Sequence, residues 1–145
     1  MQWGKAIAEG EYAEVFRGAL WGKKVAIKRL KHREGSGIDE ILRELRHEVS
    51  LMSGLRHPNV LTLIGSLEDS TQPSIVLEVM QGTLYELALA IYNDGGAAAT
   101  AALLAALSDI VSGCAYLHGR SPSVLHRDLK PPNILYDDNR SCKLW

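Results

Sequence analysis

The reading of this chain turns on one stretch, His126-Arg127-Asp128-Leu129-Lys130-Pro131-Pro132-Asn133-Ile134-Leu135. It places a carboxylate, two cations and an amide in a short polar loop that runs into an apolar strand. Asp128 can accept a proton from a hydroxyl, Lys130 can neutralise a transferring phosphoryl group, and Asn133 can offer a carbonyl oxygen to a hard cation. A loop without a role could hold the same residue types, but would rarely hold them in this order.

Upstream of this loop the pattern is helical. Thr100 to His118 carries Leu103, Leu107, Ile110, Cys114 and Leu117 on one expected stripe, with Gly119 as its cap. A shorter helix is expected from Thr83 to Tyr92, with Asn93-Asp94-Gly95-Gly96 as a break. The first half reads differently. Gln2 to Gly10, Tyr12 to Leu20, Lys24 to Leu30, Val60 to Glu68 and Ser74 to Met80 are β-type segments, and Trp21-Gly22-Lys23 is a tight turn. One helix interrupts them, from Ile38 to Gly54, with Ile38, Ile41, Leu42, Leu45, Val49 and Met52 at helical spacing. Ser36 and Asp39 resemble a capping box at its start.

Two charged residues stand out in this half. In Val25-Ala26-Ile27-Lys28, strand alternation puts Ala26 and Lys28 on one face, which leaves room for a flat ligand beside an ammonium. Glu48 lies on the apolar stripe of its helix, where a carboxylate is costly unless a cation pairs with it. Lys28 is the expected partner. The segment Ile7-Ala8-Glu9-Gly10-Glu11-Tyr12-Ala13-Glu14-Val15 is a turn of small residues between two strands. Such a turn lets backbone N–H groups approach phosphate oxygens, although many such turns are plain hairpins.

Composition sets the limits. The chain has 145 residues, is 46% hydrophobic and 23% charged, and carries a net charge of −1. That is ordinary globular composition, with no global signal for nucleic acid or an anionic membrane. Cys114 and Cys142 form no disulfide framework and sit among apolar neighbours, and a reducing, cytoplasmic setting fits them. No signal pattern opens the chain. The longest apolar run, Ala101 to Leu107, is too short to span a bilayer, so no membrane segment is expected here and any tether would lie elsewhere.

Taken in order, these segments resemble the eukaryotic protein kinase family. The catalytic-loop pattern His-Arg-Asp-Leu-x-x-x-Asn is met from His126 to Asn133. The likeness covers the whole chain: glycine-rich turn, Val-Ala-Ile-Lys strand, helix glutamate at Glu48, His57-Pro58-Asn59 turn, hinge at Glu78-Val79-Met80, catalytic loop. The resemblance implies an α+β, bilobal fold, with a five-stranded antiparallel lobe and one helix over residues 1–80 and an incomplete helical lobe over 81–145. It implies ATP as co-substrate, Mg²⁺ as cofactor, and a Ser or Thr hydroxyl of a protein as acceptor, the serine/threonine type being suggested by Lys130. The sequence around Gly18 to Lys28 is similar to the tyrosine-kinase-like group.

By the same resemblance, Lys28 binds the α/β-phosphates and pairs with Glu48. Gly10 belongs to the phosphate turn. Ile7, Val15, Ala26 and Leu135 sandwich the purine, Glu78 and Met80 offer backbone hydrogen bonds to adenine, and Leu77 is the gatekeeper. Asp128 is the catalytic base, assisted by Lys130, and Asn133 is a metal ligand. Two departures matter. Ala8 and Ala13 replace glycines of the turn, and Cys142-Lys143-Leu144-Trp145 matches the strand before the family's Asp-Phe-Gly element, where the sequence stops. A truncated kinase domain, itself inactive, is therefore expected. The alternative is a non-catalytic nucleotide-binding or protein-interaction module. Oligomeric state is left open.

Overall fold

The computed structural model describes residues 1–32, 35, 37–94 and 96–145. They form two compact units. The first comprises Met1–Leu55 and Thr62–Val79, the second Arg56–Leu61 and Met80–Trp145.

Unit 1 is a five-stranded antiparallel sheet in the order β1-β2-β3-β5-β4, with one helix. Its strands are β1 (Gln2–Glu9), β2 (Ala13–Leu20), β3 (Lys23–Leu30), β4 (Leu63–Leu67) and β5 (Ser74–Leu77). Alternation sorts their side chains into two faces. On one face Val25, Ile27 and Val76 are buried, with Trp3, Phe16 and Leu20 packed against them. Trp3 and Phe16 meet edge to face with ring centroids 5.2 Å apart. The other face carries Val15, Lys28 and Ile75 in one cross-strand row, and Ala26 with Leu77 in another. Residues 21 and 22 join β2 to β3 with φ of 50° and 78°, and Leu20 pairs with Lys23. Positive φ at both positions is the geometry that suits a two-residue hairpin, but it is unusual for tryptophan, and Trp21 is 91% exposed.

The helix α1 (Ile38–Ser53) buries Ile41 and Leu45 and contacts β4 and β5. Asp39 and Glu40 in its first turn suit the positive end of the helix dipole. Its N-cap is Gly37, without a side-chain hydrogen bond. The Ser36 half of the expected capping box lies outside the described residues.

Unit 2 contains a small sheet, β6 (Gly82–Thr83), β7 (Ile134–Tyr136) and β8 (Cys142–Leu144), and two helices, α2 (Leu84–Asp94) and α3 (Gly96–His118). A reciprocal cap starts α2. The Thr83 N–H donates to Glu86 Oε2 at 2.7 Å, and the Glu86 N–H donates to Thr83 Oγ1 at 3.3 Å. Helix α2 runs to Asp94, and α3 begins at Gly96 rather than Thr100, for Ala97 to Ala99 are strong helix formers; Gly95, within the expected break, lies outside the described residues.

The buried line of α3 also differs from the expected stripe. It runs Ala106, Ile110, Gly113 and Leu117, while Leu103 and Leu107 are exposed and Cys114 is half-buried. Small residues set this line. A Cβ on Gly113 would stand 2.6 Å from the Asn59 carbonyl oxygen and 2.9 Å from a Leu144 methyl, so only glycine lets Asn59 and β8 approach. Helix α3 is also long and apolar enough, by length and composition, to cross a membrane, which a count of uninterrupted apolar residues did not reveal. Core helices of soluble proteins meet that criterion too.

Arg56–Leu61 is fastened into unit 2 by its backbone. Leu144 donates to Asn59 O (3.0 Å), Leu61 donates to Leu144 O (2.9 Å), and the buried Asn59 amide donates to Cys142 O (3.0 Å). His57 stacks on Tyr116, whose hydroxyl accepts the Arg56 N–H at 2.8 Å. Cys142 is buried, and its backbone N–H donates to Asp109 Oδ2 at 2.8 Å. Burial, with Asp109 and Asp137 nearby, pushes its thiol up to about 11, so it stays protonated and unreactive at neutral pH.

Candidate active site

In unit 1, β3 and α1 bring Lys28 and Glu48 together. Lys28 Nζ lies 2.7 Å and 3.0 Å from the two Glu48 carboxylate oxygens. The side chains are 17% and 30% exposed. The position of Glu48 on the helix explains this. It sits beside the buried stripe of α1, so its carboxylate meets the sheet, and the alternation of β3 turns Lys28 to the matching face. Partial burial with two charge-assisted hydrogen bonds fixes the ammonium in place, which suits it to hold phosphate oxygens.

The other residues expected around a nucleotide in unit 1 are spread along the same strands. Val15 is directly across from Lys28, and Ala26 across from Leu77, with Ala26 and Leu77 buried. Ile7 falls where the β1–β2 register shifts, between Ala6 and Ala8, and is 45% exposed. It is Ala8, not Ile7, that pairs with Val15. Gly10 closes the β1–β2 turn by donating its N–H to Ala13 O at 2.8 Å. Glu78 is tied to the start of β4, for its carboxylate accepts the Thr62 N–H at 2.7 Å and its own N–H donates to Thr62 O at 3.2 Å. Met80 is buried in unit 2, and Leu135 lies on β7 in register with Thr83.

In unit 2 the polar loop closes on itself around Asp128. The Asp128 N–H donates to His126 O at 2.9 Å, a three-residue turn over Arg127, whose φ is 64°. Such a positive φ is rare for a residue with a large side chain and is characteristic of functional loops. Asn133 reaches back five residues. Its amide nitrogen donates to the Asp128 carbonyl (2.9 Å) and to Asp128 Oδ2 (2.7 Å). Lys130 Nζ is 2.9 Å from the same Oδ2. Pro131–Asn133 forms a single 3-10 turn, its proline-rich start needing no N–H donors there, and the Asn133 N–H donates to Lys130 O at 2.9 Å. This turn feeds directly into β7.

Electrostatics follow from these contacts. The hydrogen bond from Lys130 holds the Asp128 carboxyl below its ordinary value of 3.8; desolvation opposes it, and the Asn133 amide and the charge of Lys130 add to the lowering. Asp128 is therefore ionised at neutral pH and able to orient a hydroxyl and receive its proton.

The fit to a divalent cation is partial. With its nitrogen committed to Asp128, Asn133 has its carbonyl oxygen to offer. Among the described residues, no three His, Cys, Asp or Glu side chains converge as a metal site. A hard cation here would take most of its oxygens from phosphates and water, as Mg²⁺ commonly does.

The sequence reading passed over the Thr83–Glu86 cap and the Asn59 fastening, both of which shape unit 2 around the loop. The first had a readable signal, Thr-x-x-Glu before an apolar run. The second had none, because it depends on contacts 83 residues apart.

Comparison with known proteins identifies the family. The family model described as the protein kinase domain matches residues 1–145. The chain is 36% identical over 142 residues to the probable serine/threonine-protein kinase drkB of Dictyostelium discoideum, covering 97% of this chain and 20% of that protein. It is 38% identical over 142 residues to the probable serine/threonine-protein kinase SIS8 of Arabidopsis thaliana, covering 97% and 13%. To drkA of Dictyostelium discoideum it is 35% identical over 142 residues, covering 97% and 21%. The chain thus spans between 13% and 21% of the length of these curated relatives. Matched along its full length and similar to serine/threonine kinases throughout, the chain belongs to the protein kinase family.

Proposed function

We propose that the protein containing this chain transfers the γ-phosphoryl group of ATP to serine or threonine hydroxyls of proteins. The observation that carries this reading is the Asp128–Lys130–Asn133 cluster, in which one carboxylate is held by a cation and an amide and kept ionised. Asp128 orients the acceptor hydroxyl and takes its proton. Lys130, beside it, stabilises charge on the transferring group, and Lys28, set by Glu48, holds the α/β-phosphates. Mg²⁺ is the proposed metal; when bound it supplies charge neutralisation at the phosphates, and Asn133 is the residue of this chain that would contact it. The named relatives, serine/threonine kinases, support this choice of acceptor. A cytoplasmic location is proposed with it, since the substrate is ATP and both cysteines are free thiols.

The test is phosphate transfer from radiolabelled ATP to a generic Ser/Thr substrate by the full-length protein and its Asp128→Asn variant. Transfer is expected in the parent and is expected to fall by about 10²–10⁴ in the variant. ATP binding without transfer in the parent would overturn the reading in favour of a non-catalytic nucleotide-binding module.

A further inference from the structure

The β1–β2 turn is gripped by an ion pair that reaches over a strand. In the sheet order β1-β2-β3, Glu9 ends β1 and Lys31 follows β3, so β2 lies between them. Lys31 Nζ is nevertheless 2.7 Å from Glu9 Oε1. The backbone N–H of Lys31 also donates to Tyr12 O at 2.9 Å. One residue therefore holds both arms of the turn, β1 through its side chain and the approach to β2 through its backbone.

The strand register shows why a cation is needed there. Glu9 pairs directly with Glu14, so two carboxylates stand opposite each other at the mouth of the turn, an arrangement that pushes strands apart. Glu14 is matched by Arg29, its partner on β3, whose Nε donates to Glu14 at 3.1 Å and whose guanidinium also lies over Phe16. Lys31 answers Glu9. Its hydrogen bond and charge hold the Glu9 carboxyl below the ordinary carboxylate range.

We propose that Lys31, acting with Glu9, is a positioning residue that holds the β1–β2 turn in shape to receive nucleotide phosphates. This rests on the phosphotransfer reading for its function, though not for its structure. Within 8–13 the turn has one glycine, Gly10, so it draws less on glycine freedom and more on this clamp.

The register makes an unequal prediction for the two partners. Glu9→Gln removes the attraction to Lys31 and the repulsion from Glu14 together, whereas Lys31→Met leaves the repulsion uncompensated. In the full-length protein, Lys31→Met is expected to raise amide exchange across residues 10–13 and KM for ATP by about two- to fivefold, within the range of exposed ion pairs. Saturated kcat should change less than twofold, Glu9→Gln should do less on both measures, and about 0.5 M salt should shrink the differences. The double variant Glu9→Lys with Lys31→Glu should return exchange and KM towards the parent. Parental exchange in Lys31→Met, or a larger effect from Glu9→Gln, would overturn the clamp. If the parent transfers no phosphate, the phosphotransfer reading falls, and the exchange comparison alone still decides whether the clamp exists.

Discussion

The Lys28–Glu48 pair and the Asp128–Lys130–Asn133 cluster are assembled in opposite ways. The first joins residues 20 apart, one on a strand and one on a helix, and forms only when α1 packs on the sheet. The second joins residues at most five apart in one loop, with Asp128 and Lys130 side chains 63% and 53% exposed. Half-buried charges brought together by packing are bound up with the stability of their unit. Exposed charges brought together by a turn can be changed for their chemistry alone.

Paired substitutions should separate the two sites most strongly. Lys28→Met leaves the Glu48 carboxylate without its ammonium beside the apolar stripe of α1. It is expected to cost about 1–3 kcal/mol in urea denaturation and to lower phosphotransfer by roughly 10²–10³. Asp128→Asn, in contrast, should leave the denaturation midpoint where it was while phosphotransfer collapses. Equal stability losses in the two variants would break the contrast.

Unit 2 must then draw its stability from somewhere other than the loop around Asp128, and the packing of α3 against Asn59 and β8 is the place. Gly113→Ala would put a methyl 2.6 Å from a backbone oxygen that cannot easily move. Overpacking of this kind costs about 1–3 kcal/mol. Chemical denaturation of the variant should show that loss. A neutral result would mean that stability in unit 2 is not concentrated at this contact.

The smallest effect concerns pH. The folded Asp128 carboxyl titrates below its ordinary value of 3.8. Any stability this cluster contributes is therefore fully present above that value and is lost as pH falls through the lower, folded one. Lys130→Met removes the largest cause of the depression, so an NMR titration of the Asp128 carboxyl should move upward towards 3.8.

The same contrast decides what could be read from sequence. Strands β1 to β5 were legible as β-type segments set off by turns such as Trp21-Gly22-Lys23, and helix α1 by the spacing of Ile41 and Leu45, which records burial directly. Glu48 was legible as a charge on an apolar face, and the loop from His126 to Asn133 by its order of residues. The start and buried face of α3 were not, because Ala106 and Gly113 mark its packed line while larger leucines lie exposed beside it. Size misled where close approach, not hydrophobicity, was being selected. The β1–β2 clamp was hidden for another reason: nothing local reveals that Lys31 reaches past a neighbouring strand.

The path of the chain through unit 2 has a consequence in time. Arg56–Leu61 belongs with the second unit, yet it is made long before its partners. Asn59 waits for Cys142, 83 residues later. At ordinary rates of synthesis, about 5–20 residues per second, that delay is roughly 4–17 s. Through this interval the β8 acceptors and donors of the segment are not yet made. Within this stretch a ribosome pausing before residue 142 would leave Asn59 waiting longer, and a chain released there would lack the strand that fastens it.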